Sequence, residues 1–116
     1  MMVSHVVLMK PRPDLQPSAR AALIDAFEHA VREIPTVRHV RVGRRIRHAA
    51  GYEGSGPDVA DYLALIDFDD LAGLKTYLQH PAHAQLGARF GESLTVTWVY
   101  DFEVCGLDAL RAGGFA

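Results

Sequence analysis

Tyr77, His80 and His83 fall within the single run Tyr77-Leu78-Gln79-His80-Pro81-Ala82-His83. Their rings can give, take or orient a proton. Pro81 breaks the helix that arrives at Tyr77, and His80 is pushed from helical geometry because it precedes a proline. His83 then falls near the start of a new helical turn, where the dipole and free N–H groups disfavour a protonated imidazole. A neutral histidine beside a tyrosine is a proton-transfer pair at pH 7. The plainer alternative is structural: both histidines cap helix ends around Pro81, and Tyr77 packs in the core with its hydroxyl at the rim. His80, as the pre-proline residue, is assigned that structural role. No metal site is expected, because neither a carboxylate nor a third histidine lies close by in sequence.

The elements that must carry these rings follow from periodicity. Val3 to Met9 is a dense, β-branched run closed by Pro11 and Pro13, which predicts a strand. Val6 and Leu8 share one face; His5, Val7 and Met9 share the other. Neither set is polar enough to face water, so burial on both sides is expected, and His5 then needs a hydrogen-bond partner. A helix opens near Pro17, carries an apolar stripe through Leu23, Phe27, Val31 and Ile34, and ends at Pro35. Val37 to Ile46 predicts a second strand with one wet face. Its arginines, Arg38, Arg41, Arg44, Arg45 and Arg47, make either an anion site or a charged edge that discourages aggregation. Ala49 to Asp58 reads as a mobile loop in which Gly54-Ser55-Gly56 lacks the context of a phosphate cradle. Asp61 to Phe68 is a third strand, with Tyr62, Ala64, Ile66 and Phe68 on one face. Asp69-Asp70 caps a helix whose stripe is Leu71, Leu74, Tyr77 and Leu78. Ala82 to Phe90 is a further short helix holding Leu86, and Leu94 to Val104 a last strand, with Trp98 as core of a barrel or dimer.

Strand, helix, strand, strand, helix, strand is the split β-α-β order of an α+β, ferredoxin-like fold with an antiparallel four-stranded sheet. Helices cover one face of such a sheet. The apolar opposite face requires a cover, and a second copy in a two-fold dimer is the economical one.

With those residues placed, the chain resembles the stress-responsive dimeric α/β-barrel (Dabb) family. The resemblance runs from about Val3 to Val104. It rests on Ser4-His5-Val6-Val7-Leu8-Met9-Lys10, Val42-Gly43, Asp67-Phe68, His80-Pro81-Ala82-His83 and Val99-Tyr100-Asp101-Phe102. It implies a homodimer with a central barrel. It also implies kinship with olivetolic acid cyclase-like polyketide cyclases, which close a linear polyketide by aldol condensation without a cofactor. Their catalytic tyrosine and histidine match Tyr77 and His83, and a first-strand histidine matching His5 lines their pocket. The substrate-lining set expected here is His5, Val7, Met9, Phe27, Tyr62 and Leu86. The pocket of those cyclases is widened by aromatic residues of the first helix, where this chain has only Phe27 beside Ala26 and Ala30.

Size and charge bound these readings. At 116 residues the chain is one domain, read as residues 1–106 with a flexible tail over 107–116. A net charge of −2 gives no bulk attraction to nucleic acid or anionic membrane. No apolar run suits a membrane span, and no secretory signal is visible. The single Cys105 excludes an intramolecular disulfide and fits a reducing, cytoplasmic setting. The function expected is a cofactor-free cyclase, lyase or isomerase acting on a polyketide-like or aromatic keto substrate, with a small apolar or aromatic keto ligand as the partner. Two alternatives stand: a non-catalytic, stress-responsive binding or structural dimer, and a cofactor-free monooxygenase of the same fold.

Overall fold

The computed structural model describes residues 2–58 and 60–114. Strand β1 (Met2–Pro11) leads into helix α1 (Pro17–Glu33), then β2 (Val37–Arg44), β3 (Tyr62–Phe68), α2 (Leu71–Gln79), α3 (Pro81–Ser93) and β4 (Leu94–Val104). The sheet order is β2-β3-β1-β4, with every neighbouring pair antiparallel. This is the ferredoxin-like α+β fold that the element order predicts.

Local chemistry sets the boundaries. Pro17 starts α1, where its missing N–H leaves no helical bond unmade. Ile34, held extended before Pro35, ends the helix. The Asp70 carboxylate caps α2 by accepting from the Gly73 amide at 2.8 Å. The Thr36 hydroxyl donates to the Gly73 carbonyl at 2.8 Å, which ties α2 to the start of β2. A side chain at Gly73 would crowd both partners: its Cβ would stand 3.3 Å from Asp70 Oδ1 and 3.4 Å from Thr36 Cβ.

Register sorts the sheet into two faces. His5, Val7 and Met9 pair across with Ile66, Ala64 and Tyr62, and on the other side with Asp101, Val99 and Thr97. This face meets the helices, and its core includes Ala30, Ile34, Ile66, Phe68, Leu74 and Tyr77. The opposite face carries Ser4, Val6 and Leu8 beside Phe102, Tyr100 and Trp98. In the single chain this face is bare, with Trp98 41% and Phe102 54% exposed. Burial of β1 on both sides is therefore incomplete: Val7 is buried, while Val6 and Leu8 are only half-buried.

Several boundaries differ from the sequence reading. Strand β2 stops at Arg44, and Ile46 is 77% exposed in the connection that follows. Strand β3 begins at Tyr62, one residue late. Helix α3 runs from Pro81 to Ser93, longer than Ala82 to Phe90, because nothing in its sequence breaks it before β4. Leu71 and Leu78 are exposed, so of the expected stripe only Leu74 and Tyr77 are buried, beside Gly73. The loop after β2 contains a 3-10 turn at Gly51–Gly54, fixed by Glu53, whose carboxylate accepts from the His48 and Ala50 amides. The expected tail forms a helical turn at Leu107–Ala109 that continues as a π turn at Leu110–Gly114. Its last two residues and Met1 lie outside the described residues.

The arginine strip is largely matched by aspartates. Arg38 pairs with Asp69 at 2.8 Å, Arg45 and Arg47 with Asp58 at 2.6 and 3.5 Å, and Arg41 with Asp67 at 3.8 Å. That favours the charged-edge reading. No helix among the described residues is long and apolar enough to cross a membrane.

Replacing Asp70 with Ala removes the α2 cap, and urea unfolding is expected to show a loss of about 1 kcal/mol with an unchanged denaturant slope. An unaltered midpoint would show that the cap contributes nothing.

Candidate active site

Helix α2 delivers Tyr77 to the underside of the helical layer. The ring is 1% exposed and packs against Phe68 of β3, with centroids 5.2 Å apart. The backbone then turns at His80, whose amide bonds the Tyr77 carbonyl at 3.2 Å. His80 is extended, and its Nδ1 accepts from the Ala82 amide at 3.0 Å, so this imidazole caps the N-terminus of α3. Pro81 occupies the first position of α3, and His83 the third. The corner brings the Tyr77 and His83 rings together edge to face, with centroids 4.9 Å apart and planes at 64°.

His5 approaches from the sheet. It is 4% exposed, and its ring stands edge-on to Tyr77 at 5.7 Å. Its Nδ1 lies 2.5 Å from the Asp101 carboxylate, which only accepts, so Nδ1 carries the proton of this contact. The tautomer follows from the partner: Nε2 of a neutral His5 stays free as an acceptor. Asp101 is the member of the cluster that the sequence reading left out. The signal was present, since a buried His5 demanded a partner and the fold makes β4 the neighbour of β1. What was missing was the register that sets residue 101 opposite residue 5.

The electrostatics differ for the two rings of the pair. Burial pushes the Tyr77 phenol up to about 12, so it stays protonated and able to donate at neutral pH. Burial also holds His83 below the usual imidazole value; the nearby His5 acts in the same direction, and the Leu78 carbonyl opposes both. The direction matches the sequence reading, and its largest cause is desolvation. A neutral His83 beside a protonated phenol can accept one proton while the phenol donates a hydrogen bond.

The remaining expected lining residues are dispersed. Val7 is buried next to His5 on the helix-facing side. Met9 and Tyr62 pair at the far end of that face, and Tyr62 is 43% exposed. Leu86 lies in the helix-side core with Phe27 packed against it. One hollow of about 350 Å³ lies at the Leu8–Leu63 end of the open sheet face. Another, of about 620 Å³, lies between α1 and α3, by Ala22, Ala26, Gln85 and Arg89. Neither is lined by His5, Tyr77 or His83. Among the described residues, no cluster of three or more His, Cys, Asp or Glu side chains is placed to hold a metal ion.

The model of the Stress responsive A/B Barrel Domain, Dabb, matches residues 3–104. The chain belongs to this family. No curated protein matches the chain. Among solved structures, a Dabb family protein with a ferredoxin-like fold from Mesorhizobium loti superposes with a TM-score of 0.69 at 18% identity, covering 90% of this chain and 98% of that one. A dimeric ferredoxin-like protein of unknown function from Thermobifida fusca gives 0.69 at 20% identity, with 90% and 92% covered. A hydroxynitrile lyase from Passiflora edulis gives 0.73 at 12% identity, with 90% and 94% covered. At these identities the structures share the Dabb fold with this chain, and the likeness carries no reaction.

The depressed His83 has a readable consequence. An imidazole NMR titration is expected to place its midpoint below the ordinary 6.5, and His5→Ala is expected to move it upward. Between the depressed value and about 6.5 the unfolded chain binds more protons than the folded one, so this group makes stability fall as pH drops through that window. A His83 midpoint at or above 6.5 would remove the desolvation argument.

Proposed function

We propose that this Dabb protein is a cofactor-free cyclase or lyase acting on a polyketide-like or aromatic keto substrate. The observation that carries the reading is the buried Tyr77 ring set edge-on to His83 at 4.9 Å and to His5 at 5.7 Å. His83 takes the proton from the carbon next to a carbonyl. The Tyr77 hydroxyl donates to the carbonyl oxygen where enolate charge gathers. The enolate carbon attacks a second carbonyl of the same chain, closing the ring, and the His83 imidazolium returns the proton to the new alkoxide. His5, held by Asp101, orients the substrate or His83. The scheme needs no oxidant and no metal.

The same reading includes a homodimer. The bare aromatic stripe of Trp98, Tyr100 and Phe102 supports it, as do fold neighbours described as dimeric. The exposed Cys105 fits a reducing, cytoplasmic setting.

A second reading, a non-catalytic binding or structural dimer, is favoured by one observation: Tyr77 is closed over, and neither hollow reaches the pair. Kinetics separate the two. With a poly-β-keto thioester as substrate, His83→Ala and Tyr77→Phe are each expected to lower kcat by about 10²–10⁴-fold. Wild-type turnover that both variants retain in full would leave the second reading in place.

A further inference from the structure

We propose that Trp98 of each chain seats in the hollow over Gly43 of a second copy, across a two-fold axis that runs along the strands. The proposal rests on the homodimer reading and adds which residues meet in it.

Register lays the open face out in rows. Gly43, Leu63, Leu8 and Trp98 stand side by side across β2, β3, β1 and β4. The next row is Arg41, Leu65, Val6 and Tyr100, and the one beyond it His39, Asp67, Ser4 and Phe102. The two edges of the face therefore differ. The β4 edge is a stripe of three aromatic rings, with neighbouring centroids 6.3 Å apart. The β2 edge is basic and then reaches a glycine. Arg41 keeps 69% of its side chain exposed, with Asp67 at 3.8 Å.

Two directions of a two-fold axis lay this face on its own copy with the strands aligned. An axis across the strands sets each β2 edge over the other, so Arg41 and His39 crowd their own counterparts. Like charges facing across an interface cost affinity. An axis along the strands, between β3 and β1, sets β2 over β4 and leaves every row at its own height. Arg41 then faces Tyr100, a guanidinium over a ring, and His39 faces Phe102. Rows are two residues, about 7 Å, apart, and the angle of about 30° between aligned sheets shifts facing edges by less than that. The charge pattern selects this second axis.

The same axis sets Trp98 opposite Gly43, a large side chain opposite a missing one. A Cβ at Gly43 would meet nothing within 4 Å, and the hollow of about 350 Å³ opens there on Gly43, Leu63 and Leu8, with Pro57 and Ala60 in its wall. The indole, 41% exposed in the single chain, arrives over an apolar floor. Asp61 also borders the hollow and is an acceptor for the indole N–H. An aromatic anchor in a pocket, central and desolvated, is the usual form of an interface hot spot.

Trp98 is the one tryptophan of the chain, so its fluorescence, read beside sedimentation equilibrium on the same samples, tests the contact. As the dimer dissociates on dilution, the emission maximum is expected to move to longer wavelength. Gly43→Leu fills the hollow without a clash inside the chain, so circular dichroism is expected to stay unchanged while the dimer dissociation constant rises about a hundredfold or more. Trp98→Ala, on the exposed stripe, is expected to do the same. Combined in one chain, the two are expected to dimerise more tightly than either alone, since the added leucine takes the space that the indole left. Arg41→Gln is expected to weaken the dimer; an axis across the strands would have it tighten. Additive losses for the pair, or a tighter Arg41→Gln dimer, would overturn the contact. A chain that is monomeric at every concentration removes the homodimer reading together with this one; a dimer that dissociates with no change in Trp98 emission removes this one alone.

Discussion

The break at Pro81 is the constraint on which the site depends. In an unbroken helix, residues six apart are separated by about 9 Å of rise and about 120° around the axis, so Tyr77 and His83 would point to different faces. Pro81 lacks the N–H that would continue α2, and it holds His80 extended. The chain turns, α3 begins, and the two rings meet. His80 makes the turn affordable by capping α3 with its own imidazole, in place of the usual serine or aspartate. The middle ring of the run thus builds the corner, and the outer two are free for chemistry.

The sheet supplies the second half of the arrangement. Because β1 lies between β3 and β4, a single residue of β1 links the helical layer to the neighbouring strand: His5 faces Tyr77 above and reaches Asp101 beside it. The alternation of β4 then divides its labour. Asp101 and Val99 look toward the helices, while Trp98, Tyr100 and Phe102 look toward the open face. One strand thus carries the carboxylate that holds His5 on one side and an aromatic stripe on the other.

Much of this was legible in the chain. The alternation of β1 and β3 gave the correct faces residue by residue, because each strand has one helix-covered side and a period of two. Pro17, Pro35, Asp70 and Pro81 marked helix ends through backbone chemistry that acts locally. The end of β2 was not legible: Ile46 continues the alternation, yet β3 begins only at Tyr62, opposite Arg44, so no partner remains to pair with it. The exposure of Leu71 and Leu78 was also hidden, since a nine-residue helix shows too few turns to separate its stripe from its flank. Asp101 required knowing which residue of β4 stands across from His5, and a one-residue slip would have chosen Tyr100 or Phe102. The hollows are products of tertiary packing, and no local pattern announces them.

The central claim is that His83 accepts a carbon-bound proton while Tyr77 holds the oxygen, and an acidic β-diketone such as benzoylacetone tests it without knowledge of the natural substrate. The most direct measurement is the ¹⁵N spectrum of the His83 imidazole at neutral pH as the diketone is added, with the enolate absorbance read in parallel. The account predicts that His83 becomes an imidazolium as bound enolate appears, and that Tyr77→Phe weakens both signals. A neutral His83 in the presence of saturating diketone would contradict it.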